Sequence, residues 1–340
     1  MPLPLIKGYE IIRTLGEGGM GAVYLARQLS LNRLVAVKIL PDYLAENPSY
    51  VIRFRQEAKA AGKLKHNNMV QIYDAGVESD VFYFVMEYID GETAGRRVAR
   101  KGRLDEESTL LIGEAVAVAL EYAWDDARLV HRDIKPDNIL IDGDGTVKVA
   151  DLGLAKIAGG DGGAITMSRM MIGTPYYCAP EQAQGNLEID CRADIYSLGA
   201  TMYHMATGYA PFSDTSGVSA MVRNVTDFVP DPLERNPGLS DNFAQLLEVM
   251  MAKDKLHRPV DWHEVLVDID RVLHHGPPRT PPPPAGASTV TRGARKVVRI
   301  PRKLCGVRIS LTFRLFLIMA AIFAMLLAVV WIILEIRASS

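Results

Sequence analysis

The chain has 340 residues, 49% apolar and 23% charged, with a net charge of −2, a globular composition that excludes a disordered or collagen-like chain and leaves length for one large or two small domains. Residues 276–340 hold ten Lys/Arg against one acid, while residues 1–275 hold 28 against 39, so the body is acidic and no nucleic-acid partner is expected. Cys178, Cys191 and Cys305 make no CxxC pair, which excludes a disulfide scaffold or a cysteine zinc site and favours a reducing compartment.

Residues 9–40 read as strands, with Val23 and Leu25, then Val35, Val37 and Ile39 in alternation around a turn at 30–33. Residues 49–64 read as a helix, with Val51, Phe54, Ala58, Ala61 and Leu64 at helical spacing. Residues 70–73 and 81–88 return to strands. After Asp90-Gly91 a helix is predicted over 106–124, then short strands at 139–141 and 147–149 around the turn Asp142-Gly143-Asp144-Gly145, then helices from about 193 to 273. The fold class is α+β: a small β-rich lobe followed by a larger helical lobe.

Residues 276–291 read as a Pro-rich linker, an extended, semi-rigid spacer. Residues 292–314 hold eight basic residues and no acid, and residues 315–334 run without a charge, about 30 Å as a helix. That stretch reads as a transmembrane helix with its basic side in the cytoplasm. The basic run also suits anionic lipid headgroups. Ala320, Ala324 and Ala328 form a small-residue stripe of the kind that pairs spans; chance explains it as well, and a homodimer stays open.

Four clusters carry chemistry. Gly16-Glu17-Gly18-Gly19-Met20-Gly21 fits G-x-G-x-x-G, and the strand that follows it, in place of a helix, suits a loop folded over nucleotide phosphates. An ordinary glycine-rich hairpin is the alternative. Lys38 shares a strand face with apolar neighbours, so its ammonium needs an anion, for which Glu57 is the candidate, or must snorkel to solvent. Residues 131–138, His-Arg-Asp-Ile-Lys-Pro-Asp-Asn, pack a proton acceptor, two cations and a metal ligand into one stretch. Asp151, at a strand end before Leu152-Gly153, is a second oxygen ligand beside Asn138, or the start of a plain turn.

In their order and spacing these clusters, together with Ala179-Pro180-Glu181, resemble the eukaryotic-type (Hanks-type) protein kinases, bacterial branch, over about residues 9–273. The resemblance implies a two-lobed kinase domain over residues 9–275, with an N-lobe at 9–88 and a C-lobe at 89–275. It implies ATP with Mg²⁺, Mn²⁺ being admissible, and protein substrates bearing Ser or Thr, with autophosphorylation. The Ser/Thr choice follows from Lys135 and Gly173-Thr174.

The catalytic group would be Asp133, Lys135, Lys38 and Glu57, with Asn138 and Asp151 on the metal. Nucleotide contacts would come from Leu15, the loop 16–21, Val23, Ala36, Lys38, Met86, Glu87 and Ile89. Asp194 would brace the catalytic loop, and Glu181 would pair with Arg258. Arg132 would receive a phosphate carried by Thr166 or Ser168. Ala94-Gly95 falls where relatives open a helix with a larger apolar residue, so that helix is expected to be weak. With the tail included, the expectation is a single-pass bacterial plasma- or inner-membrane protein whose kinase domain faces the cytoplasm.

Overall fold

The computed structural model describes residues 5–18, 21–40, 62–78, 81–151, 175–186, 188–284 and 290–291. Of the helix predicted over 49–64, residues 49–61 with Glu57 lie outside these residues, as do the segment 152–174 with Thr166 and Ser168, Gly19 and Met20, and everything from 292 onward; residues 62–64 are described and are a turn and coil, not helix.

Five antiparallel strands form the N-lobe: β1 (Tyr9–Gly18), β2 (Gly21–Gln28), β3 (Arg33–Ile39), β4 (Ile72–Glu78) and β5 (Val81–Glu87), in the order β1-β2-β3-β5-β4. Alternation along β3 divides the core in two. Val35 and Val37 pack with Ala26 and Val85 on one face. Ala36 packs with Phe84, Met86, Val70 and Ile89 on the other. Lys38 lies on the Ala36 face and is 4% exposed, opposite Val23 on β2 and Phe84 on β5. The strand predicted at 70–73 begins at Ile72 and runs to Glu78, because Val70 bonds across to Val149 in the C-lobe instead (N–H to C=O, 2.9 Å).

The C-lobe opens with β6 (Gly91–Thr93) and α1 (Ala94–Lys101). The helix expected to be weak is formed. Thr93 caps it by accepting the Arg96 N–H at 3.0 Å, and Ala94 and Val98 are buried beneath it. Gly95 lies against the catalytic loop: a Cβ there would run into the Asp137 carboxylate, which would have to turn aside.

α2 (Glu106–Ala127) is capped by Asp105, which accepts the Ser108 N–H at 2.7 Å, a cap of about 1 kcal/mol. It packs on α4 (Cys191–Thr207), a helix buried on nearly every side, and on α8 (Trp262–Leu273), whose Trp262 is 1% exposed. β7 (Ile139–Asp142) and β8 (Val147–Val149) join β6 in a three-stranded sheet, and a 3₁₀ turn at Pro136–Asn138 leads directly into β7. The remaining helices are α3 (Pro180–Ala183), α5 (Gly217–Thr226), α6 (Pro232–Arg235) and α7 (Asp241–Met250).

The proline-rich segment takes up neither helix nor strand over 276–284, bends at Arg279–Thr280, and is fastened to the domain. Arg271 Nε donates to the Pro277 carbonyl at 2.8 Å, and Asn242 Nδ2 donates to the His275 carbonyl at 2.9 Å. Asp268, fully buried on α8, accepts the N–H groups of Arg279 (2.5 Å) and Thr280 (3.1 Å) through one oxygen. Further on, β10 (Val290–Thr291) pairs in parallel with β9 (Val229–Pro230). Asp268→Ala should leave these two N–H groups unbonded, cost about 1–3 kcal/mol and raise amide exchange at 279–280. Wild-type protection of those amides in the variant would contradict this anchoring.

The chain divides into Met1–Arg295 and Lys296–Ser340, and the second unit lies outside the described residues. Among the described residues no helix is long and apolar enough to cross a membrane; the span predicted at 315–334 is not among them.

Candidate active site

Leu15, Val23, Ala36, Met86 and Ile89, far apart in sequence, meet in one apolar cluster on the Ala36 face of the N-lobe sheet. Ala36 sits opposite Met86 in the β3–β5 register. A Cβ at Gly16 would meet nothing within 4 Å, so the protein's own packing does not demand glycine there, whereas a ligand approaching the backbone would. Gly21 is constrained by the fold itself: its φ is +112°, and a Cβ would run into the Ile39 carbonyl.

Glu87 leads into the connector, and its side chain has a use that its position in sequence does not announce. Lys148 on β8 donates to Glu87 at 3.1 Å, joining the two lobes beside the apolar cluster. Arg96 Nη2 donates to the Leu15 carbonyl at 3.3 Å, a second tie between lobes.

Below the cluster the catalytic loop is held by buried groups. Asp194, 1% exposed within α4, accepts the His131 N–H (2.6 Å) and the Arg132 N–H (2.7 Å) on separate oxygens. Burial raises its carboxyl above the ordinary range, and His131, Arg132 and these two N–H donors offset part of that. His131 Nδ1 accepts the Asp133 N–H at 3.3 Å, which leaves Nε2 to donate to the Ala150 carbonyl at 2.9 Å. Arg132 has φ +68°, a conformation costly for a side chain of its size. Asp194 fixes its N–H, and Gln182 Nε2 donates to its carbonyl at 3.2 Å.

Asp133 carries two donors on one oxygen. Lys135 Nζ reaches Oδ2 at 2.8 Å and Asn138 Nδ2 at 3.0 Å; Asn138 Nδ2 also bonds the Asp133 carbonyl at 2.8 Å. Among the described residues no hydrogen bond falls on Oδ1. Across the cleft Lys38 Nζ donates to Asp151 Oδ2 at 2.7 Å, with side chains 5% and 23% exposed. Burial raises the Asp151 carboxyl, but the charge and hydrogen bond of Lys38, with His131 and Lys135, together outweigh this and hold it below its ordinary range. Asp151 also has positive φ, +60°, which turns the chain sharply at the end of β8.

A divalent ion fits this donor set. The amide oxygen of Asn138 and the second carboxylate oxygen of Asp151 are hard ligands, and the Asn138 amide is oriented by its own N–H bonds. Among the described residues no group of three His, Cys, Asp or Glu side chains gathers as a metal cage, so an ion held here would complete its shell from nucleotide phosphates and water.

The structure thus brings together Lys38, Asp133, Lys135, Asn138, Asp151 and the apolar nucleotide contacts. The sequence-predicted partner of Lys38, Glu57, lies outside the described residues, as do Gly19, Met20, Thr166 and Ser168. Glu181 on α3 and Arg258 form a buried bidentate pair at 2.7 and 2.9 Å. Gln182, Gly95 and Lys148 were not read from sequence as parts of the site.

The protein kinase domain family matches residues 9–275. The chain belongs to this family. The kinase domain is 39% identical over 264 residues to a probable serine/threonine-protein kinase of Clostridium perfringens, covering 78% of this chain and 38% of that protein. It is 38% identical over 261 residues to the serine/threonine-protein kinase PrkC of Bacillus subtilis, covering 77% of this chain and 40% of that protein. The chain therefore spans less than half the length of these curated relatives. Among solved structures, a double mutant of the Mycobacterium tuberculosis PknI kinase domain superimposes with TM-score 0.66 and 27% identity, covering 80% of this chain and 100% of that one. The described lobes, a β-sheet N-lobe and a helical C-lobe, are those of the protein kinase fold.

Proposed function

We propose that this protein is a serine/threonine protein kinase that transfers the γ-phosphoryl group of ATP to Ser or Thr hydroxyls of proteins. The observation that carries the reading is the state of Asp133: one oxygen is held by Lys135 and Asn138, and the other, which takes no hydrogen bond among the described residues, suits a substrate hydroxyl. The hydroxyl oxygen forms a bond to the γ-phosphorus, the bond to ADP breaks, and the hydroxyl proton passes to Asp133. Lys38 steadies the α/β-phosphates and Lys135 the transferring group, while the cluster around Val23, Ala36 and Met86 takes the adenine. Mg²⁺, held by Asn138 and Asp151, would neutralise phosphate charge. The Ser/Thr choice is supported by Lys135 and by the names of the relatives. The test is transfer of labelled γ-phosphate from Mg·ATP to a generic protein substrate. Label on Ser/Thr is expected; label on Tyr alone, or none, would overturn the reading.

The protein is also proposed to autophosphorylate and to switch by phosphate on Thr166 or Ser168. Arg132 supports this: its Nε is buried and has no partner among the described residues, a donor suited to a phosphate oxygen. Phosphopeptide mapping after incubation with Mg·ATP should find one of these residues modified, and phosphate on neither would remove the switch.

Residues 315–334 are proposed to anchor the chain in a membrane, the basic residues of 292–314 lying against anionic headgroups on the cytoplasmic side with the kinase domain. Alkaline extraction should leave the full chain in the membrane pellet and release a chain lacking 315–334. Release of both would refute the anchor.

A further inference from the structure

Within the acidic body of this protein the stretch at 91–103 is locally cationic. From 91 to 103 there are five cations, Arg96, Arg97, Arg100, Lys101 and Arg103, against the single acid Glu92. All but Arg97 are exposed. Of the acids that follow, Asp105 is engaged with the N–H and hydroxyl of Ser108, and Glu106 bonds the N–H and hydroxyl of Ser240.

Helix geometry puts these cations at the cleft. Ala94 and Val98 face the core, so Arg96 and Arg100, two and six positions beyond Ala94, fall on the opposite, outward side. Gly95 packs against Asp137 of the catalytic loop, and Arg96 reaches the Leu15 carbonyl in the strand above the nucleotide cluster. Arg96 therefore stands beside the opening between the two lobes, with Arg100 one turn further out. Glu92 Oε1 accepts from both Arg97 (2.9 Å) and Arg100 (2.7 Å), so one carboxylate is shared by two guanidinium groups and the surface stays strongly cationic. The Arg100 side chain remains 61% exposed.

We propose that Arg96 and Arg100 form a docking subsite for acidic side chains of the protein substrate. The proposal rests on the kinase reading and adds a substrate class to it: segments with Asp, Glu or phosphorylated residues near the acceptor hydroxyl. A polypeptide delivering a hydroxyl to Asp133 passes this opening, and a planar guanidinium pairs with a carboxylate or phosphate in two-pronged fashion. Such a surface also draws acidic segments toward the cleft, an effect that salt screens.

The test uses the full chain and short peptides with one Thr beside a run of Glu, Gln or Lys. Wild type should favour the Glu peptide over the Gln peptide by about tenfold in kcat/KM, mostly through KM, with the margin shrinking as salt rises. Arg100→Glu should lose this preference and favour the Lys peptide, while KM for ATP, which reports on the Arg96–Leu15 contact, stays constant. Arg100→Ala should fall between the two. Fluorescence anisotropy of a labelled Glu peptide, read on the Asp133→Asn chain with and without Arg100→Glu, measures docking without turnover. Equal kcat/KM for the three peptides, or equal anisotropy titrations with and without Arg100→Glu, would overturn the proposal. Charge-dependent docking by a wild-type chain that phosphorylates no peptide would support the subsite and count against the kinase reading.

Discussion

Asp133→Asn should lower kcat for phosphoryl transfer by about 10²–10⁴-fold with KM for ATP nearly unchanged. Asparagine has the shape of aspartate, and its carbonyl oxygen can still accept from Lys135 and Asn138, which meet Asp133 on a single oxygen, Oδ2. What is lost is the second oxygen, Oδ1: an amide group there cannot take the proton of a hydroxyl. The nucleotide contacts, Leu15, Val23, Ala36 and Met86, lie in another cluster and should be unaffected. Lys135 loses a counter-charge, both side chains being 13% exposed, so a melting curve must accompany the kinetics to show that the variant folds. Equal phosphate incorporation by folded variant and wild type would remove Asp133 from the reaction.

The parts of the site that could be read from sequence are those whose chemistry is contiguous. Residues 131–138 place a carboxylate, a lysine and an asparagine within reach of one another, and a loop of that length needs only local turns to join them. Asp194, 61 residues away from Asp133, came from resemblance alone, since nothing in the pattern of α4 announces that one polar residue on a buried helix receives two N–H groups. The contacts of Gln182, Gly95 and Lys148 were not legible for a related reason: each is made with a distant carbonyl, a neighbouring carboxylate or the other lobe. Such contacts leave no period in the chain.

The segment 276–284 shows how composition can name a conformation without naming its attachments. Proline removes the donors that would build a helix or a ladder, and the segment forms neither. Its carbonyls and the N–H groups of Arg279 and Thr280 remain, and Arg271, Asn242 and Asp268 take them up. Asp268 reads in sequence as one polar residue on a helix; only its burial, with one oxygen unpartnered among the described residues, shows it to be an anchor.

The largest loss of stability is expected from breaking the Glu181–Arg258 pair. All five N–H donors of Arg258 are used: two on Glu181, one on the Ala252 carbonyl (2.7 Å), one on Arg192 (2.8 Å) and one on Lys253 (3.2 Å). Its side chain is 0% exposed and that of Glu181 is 8%. Glu181→Ala leaves a guanidinium buried without its counter-ion, and should cost about 3–5 kcal/mol. For a domain of this size that is a fall in Tm of about 10 °C. Arg258→Lys should be nearly as damaging, because an ammonium is a point charge with three donors and cannot span both carboxylate oxygens and three carbonyls. The double variant Glu181→Ala with Arg258→Met discriminates between charge and packing. If the cost of the single variant is mainly the uncompensated charge, removing both partners should recover part of it and give a coupling energy of about 1–3 kcal/mol. Additive losses would mean that Arg258 serves chiefly to cap the carbonyls of 192, 252 and 253. A single Glu181→Ala variant melting within about 2 °C of wild type, less than 1 kcal/mol for this length, would show that the pair contributes little to folding.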